Sequence, residues 1–575
     1  MINHAYSNYA KYAWGANEHR SISKTSHSAN IFGSSPLGIS IIDSIDTIYL
    51  ADLKEFYQKS RDWIETKFDP NVASEVSVFE INIRLVGGFL SIYALTNDKL
   101  YLDKAELVAD RLLPAFDTPT GIPHALITLS NGASKNWNWA GGGCSILSEL
   151  GTIHLEFQYL SQLTGKDIYL QKVEKIRKVL KDASENHLYY NYISPQTGKW
   201  CQKQASLGAL GDSFYEYLLK SWILSGKKDE QARSMYEDAM KAAEESMLRK
   251  TPTTNLMYFG EQRSGRLDPQ MGHLTCFVGG LYVLSALSAA LSTNTSTNNQ
   301  MEIARSIGTT CHEAYIRTAT GLGPEAFHFE RVDVEAKSLR ENEKYYILRP
   351  EVIETWFYLW RSTHEQIYRD WAWDAIISLE KYCRVDGGYS GIKDVYSSSV
   401  IHDDVQQNIF RFNFSILLTF ILIYSINISL GRINELIENN VKNFFSLWTI
   451  SCSEWLNVFT NDAVWYHPNF PDGLQYNQLL DFCQMNQLVK PALFRQDGQI
   501  RVTISGNKTS SSNFYHVMVP YVYGQIQNGN NNSLFINSGY EYIQLVLNRK
   551  NQLHINMVIE FFNRASLPFA WLPNN

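Results

Sequence analysis

Between residues 40 and 405 the chain repeats one pattern, in which apolar residues recur at positions i, i+3, i+4 and i+7. Each such stretch predicts an amphipathic helix that buries one face. Short Gly, Pro and Asn segments separate the stretches. The best examples are residues 46–66, 78–96, 100–113, 146–163, 209–225, 229–247, 271–291, 300–316, 351–362 and 366–382. The periodicity alone predicts an all-α fold built from pairs of helices.

Two inserts between the helices have the character of strands. Residues 189–200 alternate around a Pro-Gln-Thr-Gly turn, which predicts a β-hairpin. Residues 256–259 and 265–267 are placed to flank a second turn. Helix pairs with hairpins at one end suit an α/α toroid.

Three widely separated acids stand out because each lies among apolar and aromatic residues. They are Glu80, Asp212 and Glu351. A buried charge is costly unless it has a partner or a function, and apolar surroundings raise the pKa of a carboxyl group toward neutrality. For a single acid the simpler interpretation is an ion pair, and Glu80 and Arg84 have the i, i+4 spacing to form one.

The stretches around these acids resemble a known family. Further matching motifs are residues 4–15, 43–47, 113–123, 273–277, 323–327 and 403–407. In these motifs and their order the chain is similar to the class I α-1,2-mannosidases of glycoside hydrolase family 47, and among them to the Golgi enzymes that trim N-glycans. The resemblance implies an (α/α)7 barrel with β-hairpin inserts over residues 1–407.

The same resemblance implies roles for individual residues. Glu80 matches the general acid and Glu351 the general base of an inverting glycosidase, which needs two carboxyl groups flanking the glycosidic bond. Asp212 matches a third essential carboxylate, and Glu325 matches a fourth acid sometimes assigned as the proton donor. The positions that match substrate-binding residues are Arg84, Glu156, His273, Leu274, Arg349 and Glu354. Cys276 and Cys311 match the family's disulfide pair, against the alternative of two buried thiols.

The resemblance also implies a calcium ion, a hard cation that prefers oxygen ligands. In the family its direct protein ligand is the Thr of a Thr-Glu-Ala-His element, and this sequence contains no such element. We therefore predict no protein metal ligand. The remaining acids that could form an acidic floor are Glu80, Glu156, Glu351 and Glu354.

The family pattern stops after Gln407, so the barrel is expected to be incomplete at its C-terminal end. Residues 408–431 are hydrophobic, and residues 412–431 carry no charge over a length that can cross a bilayer. They predict either a replacement barrel helix or a transmembrane span. Residues 432–575 are divergent and rich in β-forming residues toward the end, which indicates a small α+β, cone-like domain.

Composition limits the partners and the compartment. The net charge of −7 and the lack of a clustered basic segment argue against nucleic acid. The N-terminus shows neither a signal peptide nor an apolar anchor. By resemblance the partners are high-mannose N-glycans on glycoproteins, and the location is the lumen of the Golgi or early secretory pathway, with membrane association possible through residues 408–431.

Three functional interpretations follow. The first is inverting hydrolysis of terminal α-1,2-linked mannose from high-mannose N-glycans. The second is a catalytically impaired relative that binds the same glycans. The third is a fusion of the family domain with an unrelated C-terminal module.

Overall fold

The computed structural model describes residues 1–289 and 297–404, together with six strands between residues 464 and 555. The chain divides into two compact units, Met1–Leu422 and Ile423–Asn575. The expected boundaries after residues 407 and 431, and the hydrophobic stretch between them, lie outside the described residues. That division of domains stays a prediction.

The first unit contains, within its described part, six consecutive helix pairs arranged in two layers. In each pair the first helix also contacts the first helix of the next pair, so these helices form an inner layer. The inner helices are Ile39–Leu50, Val78–Thr96, His154–Thr164, Asp212–Leu224, Val278–Ala289 and Glu351–Thr363. The outer helices are Lys54–Lys67, Lys99–Leu112, Ile168–Ala183, Glu230–Met247, Thr297–Ile316 and Gln366–Tyr382.

Sequence composition decides the layer in which a helix lies. The inner helix Val278–Ala289 is apolar on all sides, and its Val, Leu and Tyr side chains are mostly buried. The outer helix Lys54–Lys67 buries only Ser60 and Ile64. A helix that is hydrophobic all round needs neighbours on all sides, whereas a helix with one apolar stripe can face water.

Two glycines allow neighbouring inner helices to approach closely. A Cβ on Gly279 would lie 2.5 Å from Thr355 Cγ2, and one on Gly280 would lie 2.7 Å from a ring carbon of Tyr358. The Thr355 hydroxyl accepts a hydrogen bond from the Gly280 amide (2.8 Å) and donates to the Cys276 carbonyl (2.6 Å). This contact fixes the position of the helix that begins at Glu351.

The predicted helices agree with the structure except where a sharp turn divides a stretch. There the apolar pattern continues across the turn, so the sequence predicts one helix where the structure has two elements. Residues 46–66 form parts of two helices, because Asp52 takes a left-handed conformation (φ 56°) between them. Residues 146–163 are likewise divided into Leu147–Gly151 and His154–Thr164. The start of the predicted helix 271–291 is instead the end of the strand Gln270–Gly272, followed by the 3-10 turn His273–Phe277.

The first predicted hairpin is present, with Tyr192–Ile193 paired to Trp200–Gln202. The second is paired differently from the prediction. Met257–Phe259 pairs with Leu248–Lys250, and Arg266–Asp268 pairs with Glu261–Arg263. The two residues between the last pair, Ser264 and Gly265, both have positive φ (52° and 79°), which suits a two-residue turn and closes that hairpin locally.

The start of the first unit is fastened to its last described segment. His4 Nε2 lies 2.9 Å from the Val385 carbonyl oxygen. The Ser21 hydroxyl donates to the Tyr389 carbonyl (2.7 Å), and the Ser23 amide donates to Asp404 (3.1 Å). Residues 1–23 therefore meet residues 385–404.

The described part of the second unit consists of antiparallel strands. Val464–His467 pairs with Phe470–Gln475. A four-stranded sheet has the order Pro491–Phe494, Asn513–Ile526, Leu534–Leu547, Leu553–Ile555. These strands agree with the β-forming residues expected toward the end of residues 432–575. The cone-like α+β arrangement stays a prediction.

Within the described residues, one helical stretch, Val78–Thr96, is long and apolar enough to cross a membrane. Most of it is buried inside the protein, as expected for a core helix. The stretch 412–431, predicted as either a span or a barrel helix, lies outside this search.

We expect Trp356→Ala to destabilise the first unit by about 3–5 kcal/mol, because it leaves a large cavity and removes an indole. Trp356 is 1% exposed, and its Nε1 donates to the Gly308 carbonyl (3.1 Å). Thermal unfolding followed by near-UV circular dichroism measures the change. The matched control, Trp373→Ala, removes an indole that is 48% exposed and should cost less than about 0.5 kcal/mol. Equal losses would contradict this account of the core.

Candidate active site

Glu80 lies in the first turn of the inner helix that begins at Val78. The Ser77 hydroxyl caps this helix by accepting a hydrogen bond from the Glu80 amide (3.2 Å). Arg84 donates from Nε to Glu80 (2.7 Å) and from Nη1 to Asp43 (2.6 Å). The simple i, i+4 pair is therefore present, but it belongs to a buried network of three charged groups.

Arg84 occupies a π-helical segment, Asn82–Val86, inside this helix. Such single π-turns are frequent at functional sites. Burial disfavours the charged guanidinium, but the Glu80 and Asp43 carboxylates more than offset it and raise the pKa of Arg84. Arg84 is therefore a permanent cation that orients Glu80.

Asp212 is the first residue of an inner helix, and its Oδ1 accepts a hydrogen bond from the Ser213 amide (2.7 Å). Burial raises the pKa of Asp212 to about 6, against the lowering effect of the Ser213 bonds. The Glu216 carboxylate raises this pKa further, and the Arg349 guanidinium lowers it. A fraction of Asp212 therefore keeps its proton near neutral pH.

Arg349 forms a bidentate ion pair with Glu325. Its Nε and Nη2 donate to the two carboxylate oxygens, each at 2.8 Å, which fixes both groups in one plane. Burial raises the pKa of Glu325, although Arg349 opposes this shift. The Glu325 carbonyl accepts a hydrogen bond from the His273 amide (2.8 Å). Three of the predicted residues thus meet at one place.

His273 lies beside Glu351, the first residue of the last inner helix. His273 Nδ1 is 4.0 Å from Glu351 Oε2, and Nε2 is 2.9 Å from the Tyr315 hydroxyl. Burial, assisted by Arg349, lowers the pKa of His273 to about 3. The imidazole is therefore neutral, and its contact with Glu351 is not an ion pair. Leu274 follows in the same 3-10 turn and is half-buried.

Glu354 belongs to a buried cluster with Glu216 and Lys220. Burial raises the pKa of Glu354 to about 8, and Glu216 adds to the rise while Lys220 opposes it. Lys220 is 2% exposed and forms an ion pair with Glu216. Two acids thus share one buried cation, which explains why one of them favours its protonated form.

Glu156 is 1% exposed and is held by the protein itself. Its oxygens accept hydrogen bonds from Asn82 (2.9 Å) and the Tyr217 hydroxyl (2.7 Å). Through these bonds Glu156 ties together three inner helices, and its contact with substrate stays a prediction. A Thr152–Ser213 hydrogen bond (2.6 Å) completes the link between the Glu80 helix and the Asp212 helix.

Two leucines close to these acids have left-handed backbone conformations. Leu210 (φ 74°) lies two residues before Asp212, and Leu348 (φ 62°) directly precedes Arg349. A positive φ is strained for a bulky residue and persists only where the surroundings enforce it, often at functional sites. The strain marks both turns independently of the acids.

The comparison with protein families decides what kind of chain this is. The family described as "Glycosyl hydrolase family 47" matches residues 1–412. The chain belongs to glycosyl hydrolase family 47.

Curated relatives of this family 47 chain share about half of its residues over the first unit. It is 53% identical over 412 residues to "Mannosyl-oligosaccharide alpha-1,2-mannosidase IA" of Drosophila melanogaster, covering 71% of this chain and 61% of the relative. It is 51% identical over 411 residues to "Mannosyl-oligosaccharide 1,2-alpha-mannosidase IB" of Homo sapiens, covering 71% and 63%. The chain thus spans less than two thirds of the length of these relatives.

A solved structure supports the fold. The "alpha-1,2-mannosidase from Trichoderma reesei" superposes with a TM-score of 0.65 at 24% identity, covering 72% of this chain and 91% of that chain. The fold of the family 47 unit is the (α/α)7 barrel, as predicted from the resemblance. Whether the barrel is incomplete at its C-terminal end concerns residues outside the described ranges.

The sequence analysis missed Glu149 and its partner Trp137. Trp137 Nε1 donates to Glu149 at 2.9 Å. Burial raises the pKa of Glu149 to about 7, with a further rise from the Glu80 carboxylate and an opposing effect of Trp137. Glu149 therefore borders the Glu80 network. Its position in a helix that begins at Leu147 was hidden because residues 146–163 were predicted as one helix.

The structure contains two disulfides among its described residues. One is the expected pair, Cys276–Cys311. The other, Cys144–Cys201, was not predicted. Cys383 is a free, buried thiol.

The described residues do not fit a calcium ion by themselves. No group of three or more His, Cys, Asp or Glu side chains in residues 1–289 and 297–404 is arranged to hold a metal. The family's Thr-Glu-Ala-His element is also missing from the sequence, and what the resemblance implies about calcium stays a prediction.

We expect Glu149→Gln to stabilise the protein by roughly 1–3 kcal/mol at pH 8, and by almost nothing near pH 4. In the wild type the pKa of Glu149 is about 7 when folded and ordinary when unfolded. The folded state therefore binds more protons in this window, and its stability falls as the pH rises toward about 7.

Melting temperatures of both proteins between pH 4 and pH 8 test this, and Gln keeps the acceptor for Trp137. Exposed Glu174→Gln serves as the control and should show no widening gap. A constant difference for Glu149→Gln across the pH range would contradict the assignment.

Proposed function

We propose that the family 47 unit hydrolyses terminal α-1,2-linked mannose from high-mannose N-glycans with inversion of configuration. The observation that carries this proposal is the meeting of Asp212, Glu325 and Glu351 around Arg349. The acids matched to the family's chemistry thus lie in a buried, polarised site. The printed names of the relatives supply the substrate class.

In the proposed reaction Glu351 acts as the general base. It removes a proton from a water molecule, whose oxygen attacks the anomeric carbon as the glycosidic C–O bond breaks. Glu80 donates a proton to the departing oxygen. Arg84 holds Glu80 in position through their 2.7 Å hydrogen bond. Solvent then returns the two carboxyl groups to their starting protonation states.

Neighbouring carboxyl groups supply protons at neutral pH. The pKa of Asp212 is about 6 and that of Glu149 about 7, in each case mainly because of burial. Glu149 interacts with Glu80, and Asp212 interacts with Arg349. The site therefore retains protons at a pH where ordinary surface carboxylates have lost them. Neutral His273, the Arg349–Glu325 pair and Glu354 would bind sugar hydroxyls, and Leu274 would line the sugar site beside them.

A second candidate function is binding of the same glycans without turnover. The observation that favours it is the missing calcium ligand in the sequence, together with the lack of a metal cluster in the described ranges. A calcium ion in this family would orient substrate hydroxyls and the attacking water.

We further propose that the protein works in the lumen of the secretory pathway, where its glycan substrates reside. The two disulfides support this location, because such bonds persist in oxidising compartments. Membrane association is a separate possibility that rests only on the composition of residues 412–431.

We expect the full chain to release free mannose from a high-mannose glycan, and Glu351→Gln to lower the rate by about 10²–10⁴-fold, the usual contribution of a general base. The exposed Glu174→Gln variant should match the wild type. Free mannose measured with added calcium and with EDTA is the readout.

Release that EDTA abolishes would mean that calcium has a ligand outside the described residues. Release that persists in EDTA would mean that the side chains act without it. No release from folded protein that still binds the glycan would overturn the proposed hydrolysis and favour the binding function.

A further inference from the structure

The Cys144–Cys201 disulfide joins two strands beside the candidate site. Cys144 directly precedes the strand Ser145–Ile146, and Cys201 lies within Trp200–Gln202. These are the two outer strands of a three-stranded sheet whose middle strand is Tyr192–Ile193. The bond therefore ties the hairpin to the chain that leads into the helix of Glu149.

The disulfide belongs to a small apolar cluster that is separate from the main core. Its buried members are Ala140, Cys144, Ile146 and Tyr192, and Trp137, Cys201 and Leu210 pack against them. Two members of this cluster lead directly to site residues. Trp137 donates its indole hydrogen bond to Glu149, and Leu210 lies two residues before Asp212.

The loop that carries Trp137 is rich in glycine, and one hydrogen bond across it runs from the Asn136 side chain to the Gly143 carbonyl (2.7 Å). Gly141, Gly142 and Gly143 all have positive φ, a backbone conformation that residues with a side chain rarely adopt. A Cβ on Gly142 or Gly143 would meet nothing within 4 Å. A Cβ added to Gly141 would lie 3.6 Å from Cys144 Sγ and 3.6 Å from Cys201 Cβ, so Gly141 packs close to the disulfide. Glycines raise the entropy that must be lost to order a loop, so a covalent tie at Cys144 matters most here.

The strained turn at Leu210 is hydrogen-bonded to the segment that follows Cys144. The Leu210 carbonyl accepts a hydrogen bond from the Ser148 amide (3.0 Å), and the Asn191 carbonyl accepts one from Leu147 (2.9 Å). The backbone around Glu149 is therefore attached to the turn before Asp212 and to the hairpin. A displacement of the hairpin would reach both acids.

We propose that the Cys144–Cys201 disulfide is a positioning group for the candidate site. It keeps Trp137 in hydrogen-bonding distance of Glu149 and keeps the Leu210 turn in place before Asp212. The kinetic consequence rests on the proposed function, whereas the effect on loop order does not. The bond acts through Trp137 and Leu210 and takes no part in the reaction itself.

The two disulfides differ in a way that allows a clean experiment. Cys276 and Cys311 are both fully buried, whereas Cys201 is only partly buried. A mild dithiol should therefore reduce Cys144–Cys201 in the folded protein and leave Cys276–Cys311 intact. Each reduction transfers two electrons from the dithiol and adds one proton to each cysteine sulfur.

The test compares the wild type with Cys144→Ala/Cys201→Ala, each in its reduced and untreated form. We expect the double variant to lower kcat for the glycan by about threefold to tenfold, because Asp212 and Glu149 lose their fixed positions. The value of KM should stay within about twofold, since the residues proposed to bind the sugar lie outside the disulfide cluster. Dithiol should reproduce this change in the wild type and change nothing further in the double variant.

A double-mutant cycle identifies the route of the effect. In a Trp137→Phe background, which removes the indole donor to Glu149, removal of the disulfide should lower kcat by much less than it does alone. Additive effects would overturn the proposed route through Trp137. A lower melting temperature with unchanged kcat would overturn the positioning role and leave the disulfide a purely structural one.

Hydrogen–deuterium exchange separates this inference from the proposed function. On loss of the disulfide, amides in residues 136–151 and 206–213 should exchange at least several-fold faster, while those of the helix Val278–Ala289 stay unchanged. If the wild type releases no mannose but exchange increases as expected, the proposed hydrolysis fails and the positioning role stands. Unchanged exchange in both segments would overturn the positioning role whatever the activity.

Discussion

The site depends on the burial of carboxyl groups in the first turns of helices. Glu80, Glu149, Asp212, Glu351 and Glu354 all lie in the first turn of a helix. The helix dipole and the free amide groups of a first turn favour negative charge, whereas burial disfavours it. The balance leaves Asp212, Glu149 and Glu354 with pKa values of about 6, 7 and 8. Because the pKa values of these acids lie on both sides of 7, the set can both donate and accept protons near neutral pH, which no single residue does equally well.

This balance requires that the inner helices keep fixed positions relative to one another. Close packing at Gly279 and Gly280 positions the helix of Glu351, and the Thr355 hydroxyl bridges it to Cys276. Asn82 and Glu156 make the corresponding link on the other side of the site. The hydrogen bonds of Thr355 and of Asn82 with Glu156 lie inside the protein, where each one favours a single arrangement of the helices it joins.

The sequence was sufficient for the helices and for the acids embedded in distinctive motifs, because periodicity and residue context are local properties. It was insufficient where the outcome depends on a turn. The break at Thr152 converted a predicted helix residue, Glu149, into a first-turn acid of the site. The sharing of Lys220 by Glu216 and Glu354 was not recognised, although Glu216 and Lys220 are i, i+4 within one motif. The motif around Glu156 gave no information on its protein partners, which are Asn82 and Tyr217. The Cys144–Cys201 bond could not be deduced, since pairing among seven cysteines is a three-dimensional property.

The fastening of the two ends of the family 47 unit has a consequence for its synthesis. His4, Ser21 and Ser23 find their partners in Val385, Tyr389 and Asp404, all of which precede the point where the family pattern stops. During translation, every one of these partners has left the ribosome before the divergent C-terminal residues emerge. Residues 1–23 and 385–404 can therefore come into contact in the nascent chain at that stage. Residues 408–575 are thus not needed as partners in these particular contacts.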